Sequence, residues 1–574
     1  MLKLFQYLKP YRLFIFFVLL FLFLRTFADL FLPTLMARIV DNGIVNGDIP
    51  YILKIGGLML FVAAIGVVCA ISANYFAVKT ATSFGRDLRR AVFSKVTNFS
   101  IQEFNQIGTS SFITRTTNDI QQMQQFVSMG LRMMVISPLM FVGGIIMAVS
   151  QDQKLSTIFL VIVPIIMMII YFITKKGMPL FQELQKKLDH LSLILRENLT
   201  GIRVVRSFSR TDYETDRFDR ASQTMRDIAI KVNRIVTSLM PIMMLIFNLS
   251  IVAILWFGSK RIDYGHMQVG SLMAFIQYAM QIMFSFVMFT VIFVMIPRAT
   301  VSAKRINEVL ELEPTIIDGT EKAMLEEPID SIEFKHVTFY YPGAEKPALK
   351  NISFTAKRGE TTAIIGGTGD GKTTLLQLIP RFYDPDEGAL FFNDVPITQI
   401  PQQILREKIG YVPQKAILFT GTIAENIRYG NETATDEEVK HAATVAQATP
   451  FIEEIDGGFD AFVEQGGKNL SGGQKQRLSI ARALVRRADV YLFDDSFSAL
   501  DYKTDALLRK ALKNETEDAI TIVVAQRIST VKDADQIIVL HEGKIVGIGT
   551  HEQLIKTNDI YQEIVSSQVK GGQL

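Results

Sequence analysis

"ETTAIIGGTGDGKTTLLQLI", residues 360–379, decides the fold of the second half of this chain. An apolar run reads as a strand, Gly366-x4-Gly371-Lys372-Thr373 as a loop, and the residues after it as a helix. That is a phosphate-binding loop in the strand–loop–helix context it requires. Its glycines let backbone N–H groups wrap phosphates, and the N-terminus of the next helix adds a positive end. The candidate nucleotide residues are Gly366, Gly367, Thr368, Gly369, Asp370, Gly371, Lys372, Thr373 and Thr374. Lys372 is placed for the β- and γ-phosphates, and Thr373 offers a hydroxyl to magnesium. ATP and Mg2+ are therefore the expected ligands.

Two stretches further on extend the site. "LSGGQKQRLSIARAL" (470–484) is a glycine turn followed by an amphipathic helix, a second helix N-terminus suited to an anion. "VYLFDDSFSALD" (490–501) reads as a buried parallel strand ending in Asp494, a place for a magnesium ligand. Together these motifs resemble the ABC transporter ATPases, and the match extends over the whole chain as in half-size, P-glycoprotein-like exporters of the multidrug type. The resemblance implies an adenine-stacking role for Tyr341 in "FYYPG" and a magnesium-side loop glutamine at Gln414 in "YVPQ". It makes Ser471, Gly472, Gly473 and Gln474 the signature that completes a partner's ATP site. It assigns the metal to Thr373, Gln414 and Asp494, and "SALD" (498–501) to a loop at the dimer interface. "TSSFITRTTNDI" (109–120) and "GIRVVRSFSR" (201–210) resemble the exporter segments that contain the coupling helices.

The pattern breaks at the chemistry. The family's catalytic glutamate is here Asp495, and its γ-phosphate histidine is Gln526. "VEQGG" (463–467) puts Gln465 where the family has a glutamate. An aspartate holds its carboxylate short of the attacking water, and about 1 Å of misplacement costs on the order of 100-fold. A glutamine can hydrogen-bond a phosphate oxygen but cannot become cationic. The expected site binds Mg-ATP and hydrolyses it poorly.

The first half is a different material. Of 574 residues 49% are hydrophobic, with 41 Phe and 23 Met, and the long apolar runs fall before residue 300. Six of them, near 12–36, 52–78, 127–150, 154–174, 232–258 and 266–297, are long enough to cross a bilayer. The N-terminal run reads as a retained anchor rather than a cleaved signal. The loops at 79–126 and 175–231 are long, charged and poor in Pro and Gly, which predicts helix hairpins. Their basic residues place them and both termini in the cytoplasm. A net charge of +3 argues against nucleic acid, and the single cysteine, Cys69, excludes a disulfide framework. Arg25 and Asp29 fall on one face of the first span. They are a functional site by default, or a self-neutralising pair that fixes packing. The methionine-rich spans suit varied apolar ligands, or simple packing.

The expected architecture is an all-α transmembrane domain of six helices over 1–310, a linker over 311–330, and an α/β ATPase domain over 331–574. The expected function is ATP-driven export of hydrophobic or amphipathic compounds across a bacterial plasma membrane. The partner would be a homologous half-transporter with intact catalytic Glu and His, this chain carrying the degenerate site of the heterodimer. Lipid or peptide cargo, or a non-transporting ATP-gated regulator, are the alternatives.

Overall fold

The computed structural model describes residues 1–318 and 328–570. The expected linker, 311–330, falls in part on 319–327, outside the described residues. Two compact units emerge. One comprises Met1–Thr97 with Thr109–Leu312; the other joins Asn98–Gly108 to the chain from Glu313 onward.

The first nine α-helices among the described residues are α1 (Arg12–Arg38), α2 (Ile49–Thr97), α3 (Ile101–Ile107), α4 (Thr109–Thr114), α5 (Ile120–Gln151), α6 (Phe159–Thr200), α7 (Ile202–Ser207), α8 (Thr211–Asp263) and α9 (Val269–Glu311). Six are long and apolar enough to cross a membrane: α1, α2, α5, α6, α8 and α9. No more than 44% of any apolar window is buried against protein. Lipid is the solvent such a surface needs, and it obliges each span to satisfy its own backbone hydrogen bonds. Pro33, Pro138, Pro164, Pro241 and Pro297 lie inside these helices, as membrane spans tolerate. The 49 residues of α2 extend roughly 74 Å, far beyond a hydrocarbon core of about 30 Å. The long charged loops are therefore continuations of the spans: α2 runs on to Thr97, and α6 and α8 meet across α7.

Polar ties fix the helices where apolar packing alone would slide. Tyr278 on α9 donates to the Leu30 carbonyl of α1 at 3.0 Å and is 2.7 Å from the Thr34 hydroxyl. Asp41 accepts from the Gly270 and Ser271 amides at 2.6 and 3.1 Å, closing the N-terminus of α9. Arg261 reaches the buried Asp152 at 2.5 Å. Gly144 lets α5 and α9 approach closely, since a Cβ there would meet Ile282.

The second unit is built on a six-stranded sheet. Its order is Lys544–Gly549, Gln536–His541, Thr361–Gly366, Ile520–Val524, Val490–Asp494, Ile409–Val412. All neighbours are parallel except the Lys544–Gly549 edge. Helices cover both faces of such a sheet, so Val490–Asp494 and Ile520–Val524 are buried at every position. A second, antiparallel sheet contains Leu349–Lys357, Ser331–Phe339, Glu387–Phe392 and Val395–Pro396. The fold is thus six apolar spans followed by an α/β ATPase domain.

The short helix that belongs to the ATPase unit is α3, just before the 109–120 segment, which lies in the membrane unit. Ile101 packs on the ATPase core, and Asn105 hydrogen-bonds Tyr383. Glu103, almost wholly buried, accepts from the Ser100 amide at 2.9 Å and the Thr315 amide at 3.1 Å. Burial alone would raise its pKa, but hydrogen bonds from Ser100 and Thr315 outweigh it and hold the carboxyl below its ordinary value. A depressed folded value stabilises at every pH above the unfolded glutamate value, about 4.3, and fades only as pH falls through the folded value. Glu103→Ala is expected to cost roughly 1–3 kcal/mol by stranding buried donors. Amide exchange over 98–108 at neutral pH checks this: protection should fall there and persist in the central sheet.

Candidate ATP-binding and hydrolysis site

Parallel register brings the site together at one edge of the sheet. Val524 pairs with Ile364 on one side and Asp494 on the other. Gly366, Asp494, Asp495 and Gln526 therefore emerge from adjacent strand ends, the edge where open α/β sheets bind ligands. The loop after Gly366 needs left-handed backbone at Gly369 and Gly371, with φ of 92° and 93°, which an L side chain rarely adopts.

Lys372 begins the helix after the loop and is buried. Its ammonium donates to the carbonyls of Gly366 at 2.9 Å and Gly367 at 2.6 Å. Burial pushes its pKa down, against the opposing charges of Asp370, Asp495 and Asp494. Thr373 donates to Asp494 Oδ1 at 2.9 Å. Burial raises the pKa of Asp494, and neighbouring Asp495 adds to it. A hydroxyl and a carboxylate in contact at the head of a helix form a hard oxygen pair that fits Mg2+. Tyr341 packs edge-on against Phe339 and Tyr383, and its hydroxyl is 2.9 Å from that of Thr374.

The two departures from the family pattern touch each other. Gln526 Nε2 donates to Asp495 Oδ2 at 3.1 Å, and the Gln414 side chain also hydrogen-bonds Asp495. Asp495 has a positive φ of 46°. Burial raises its pKa, while Gln414 and Lys372 pull the other way. The signature is separate from this cluster within the chain. Ser471 caps the helix Gly472–Leu484: its hydroxyl accepts from the Gln474 amide at 3.3 Å, and Gln474 Oε1 accepts from the Ser471 amide at 2.8 Å. Ser471 and Gly472 are exposed, while Gly473 packs close to the Ala499 carbonyl.

Residues 15–286 match the ABC transporter transmembrane region, and residues 349–498 match the ABC transporter domain. The chain belongs to the ABC transporter family. It is 42% identical, over 98% of its length and 97% of the relative's, to an uncharacterized ABC transporter ATP-binding protein of Mycobacterium tuberculosis. A Bacillus subtilis protein of the same description is 40% identical over 99% of this chain and 98% of its own. An ATP-dependent lipid A-core flippase of Desulfotalea psychrophila is 35% identical over 84% of each chain. The solved structure of a bacterial Atm1-family ABC exporter with ATP bound superposes with a TM-score of 0.82, at 25% identity, covering 97% of this chain and 98% of that one. The protein is a half-size ABC exporter, with one membrane domain and one cytoplasmic ATPase domain, and its activity is ATP-driven transport across a membrane.

Asp370 is the loop residue whose function the motif did not disclose. Its carboxylate bridges the loop and the neighbouring turn. Oδ2 accepts from Gly367 N at 2.5 Å and Oδ1 from Glu542 N at 3.0 Å. The carboxylate pins the loop to the turn after Gln536–His541. Asp370→Ala strands both donors and is expected to weaken ATP binding about tenfold. Loss of negative charge works the other way. Asp370→Asn, which drops the charge and keeps one acceptor, should bind more tightly than Asp370→Ala; nucleotide titration of both variants checks the order.

Proposed function

We propose that this chain is the holding-site subunit of a heterodimeric exporter in a bacterial plasma membrane, its partner a homologous half-transporter. The observation that carries the reading is the contact between Gln526 and Asp495 at 3.1 Å. The position of the base holds a short carboxylate clasped by neutral amides, and the position of the γ-phosphate cation holds one of those amides. Lys372, Thr373, Asp494 and Tyr341 remain suited to binding. Thr373, Gln414 and Asp494 would hold the magnesium, which when bound neutralises charge on the phosphates. The chain thus keeps the groups for binding and lacks a well-placed base.

The signature argues for a working partner site. Ser471 and Gly472 are exposed at the N-terminus of a 13-residue helix, free to meet a γ-phosphate held by another chain. The tip of the α6–α8 hairpin exposes Ile202, Val204 and Phe208, apolar side chains suited to cover by a second half-transporter. ATP binding would close the paired ATPase domains, and α3 would pass that motion to the spans. Hydrolysis at the partner-based site would reset the pair. The cargo in this reading is hydrophobic or amphipathic, and the cavity described below is its place.

Steady-state ATPase of the co-purified pair, at saturating Mg-ATP, tests the asymmetry. This chain alone should turn over feebly. Ser471→Arg should abolish most turnover of the pair although it lies outside the chain's own phosphate loop. Asp495→Asn should change turnover only slightly, while the partner's equivalent glutamate changed to Gln should nearly stop it. An Asp495→Asn loss as complete as the partner's would make Asp495 a working base and overturn the reading.

A further inference from the structure

The membrane unit contains two adjoining, mainly apolar cavities, the smaller with Arg132 and Asn74 in its wall. The larger, about 800 Å3, is lined mainly by methionine and phenylalanine, with Met140, Met240, Met244, Met280, Met283 and Met288 among them. The smaller, about 290 Å3, is lined by Leu22, Ala70, Ile71 and Asn74 together with Arg132. Arg25 and Ile136 line both, so the two spaces share a wall.

The charge there does not balance. Arg25 lies 3.5 Å from Asp29, its partner one turn away, and Asp29 lines neither cavity. Arg132 spends its donors on neutral oxygens: the Ser128 carbonyl at 3.1 Å, Asn74 Oδ1 at 2.5 Å and the Ser128 hydroxyl at 3.5 Å. Among the described residues no carboxylate pairs with it. Two guanidinium groups thus face one small cavity at membrane-spanning positions, with a single carboxylate to offset them. Charges in spans are costly unless paired, and a planar guanidinium matches phosphate or carboxylate with two parallel hydrogen bonds. Flexible thioether side chains on the other side accept apolar bodies of varied shape.

We propose that these cavities bind an amphiphile with an anionic head, its charge at Arg25 and Arg132 and its apolar body among the methionines. This rests on the export reading and narrows its cargo: a hydrophobic cation would meet two like charges. A bilayer phospholipid and a soluble acidic amphiphile share this chemistry.

The test uses the full chain in phosphatidylcholine nanodiscs and three probes of one tail length: dodecyl phosphate, dodecyltrimethylammonium and dodecyl maltoside. Binding is measured against empty nanodiscs. Dodecyl phosphate should bind about tenfold more tightly than the cation, and Arg132→Gln should remove most of that difference while Arg132→Lys keeps much of it. Arg25→Gln should act in the same direction but leaves Asp29 unpaired, so Arg132, which has no carboxylate to strand, is the deciding position. Retained ATP binding reports that each variant is folded. Equal affinity for the three probes, or an anion preference unchanged in Arg132→Gln, overturns the proposal. Nanodiscs containing phosphatidylglycerol separate the sources: competition with dodecyl phosphate points to bilayer lipid, and its lack to a soluble amphiphile. ATP-dependent movement of the probes in vesicles with the co-purified partner separates the two readings. Arginine-dependent binding without movement leaves the site standing and removes export; movement of the cation but not the anion does the reverse.

Discussion

The hydrogen bond from Thr373 to Asp494 ties together the parts on which the ATPase unit depends. One residue belongs to the helix that follows the phosphate loop, the other to the end of a fully buried strand. Between their strands runs Ile520–Val524, which delivers Gln526 to the same edge. Parallel pairing fixes this arrangement, because the paired parallel strands end near the same level and a slip of one residue would turn each side chain to the other face. The phosphate loop, Asp494, Asp495 and Gln526 are thus brought together by one register.

A different constraint governs the membrane unit. Lipid forbids open backbone polar groups, so each span stays helical, and water permits the same helix to continue once it leaves the bilayer. The long arms of α2, α6 and α8 are therefore inexpensive extensions of structures the membrane already requires. The chain from Asn98 to Gly108 exploits this. It leaves the end of α2, folds α3 into the ATPase unit through Ile101, Glu103 and Asn105, and returns as α4.

What could be read from the sequence follows from how local each signal is. The phosphate loop, its glycines and the apolar runs are written in contiguous residues, so the ATPase domain and the six spans were legible. The helix α3 was less so. "SIQEF" is short, and its defining contact runs from Glu103 to Thr315, some two hundred residues away, which no local pattern records. The capping pair Ser100 and Glu103, three apart, was the available signal. Asp370 is a similar case: its place in the loop is written in the motif, but its outward turn toward Glu542 depends on a neighbouring strand. The acidic and amide substitutions at 495 and 526 were visible as departures, yet only the fold shows that they bond to each other.

That contact changes the meaning of the two substitutions. Taken singly, a shorter carboxylate is a weaker base and a glutamine is a weaker phosphate partner. Joined, they form a neutral-to-anionic hydrogen bond that, in the proposed reading, engages the two groups hydrolysis would need to have free. Gln414 adds a second amide to the same carboxylate. Each of these amides occupies one of the carboxylate's about four acceptor sites, and raising its pKa by burial does not release them. Among the binding groups Thr373 and Asp494 also bond each other, but Lys372 donates to loop carbonyls, which a phosphate can replace with a stronger, oppositely charged acceptor. Under the proposed reading, nucleotide binding at this site gains interactions while hydrolysis must first break them, which suits a cycle in which one ATP keeps the pair together as the other is spent.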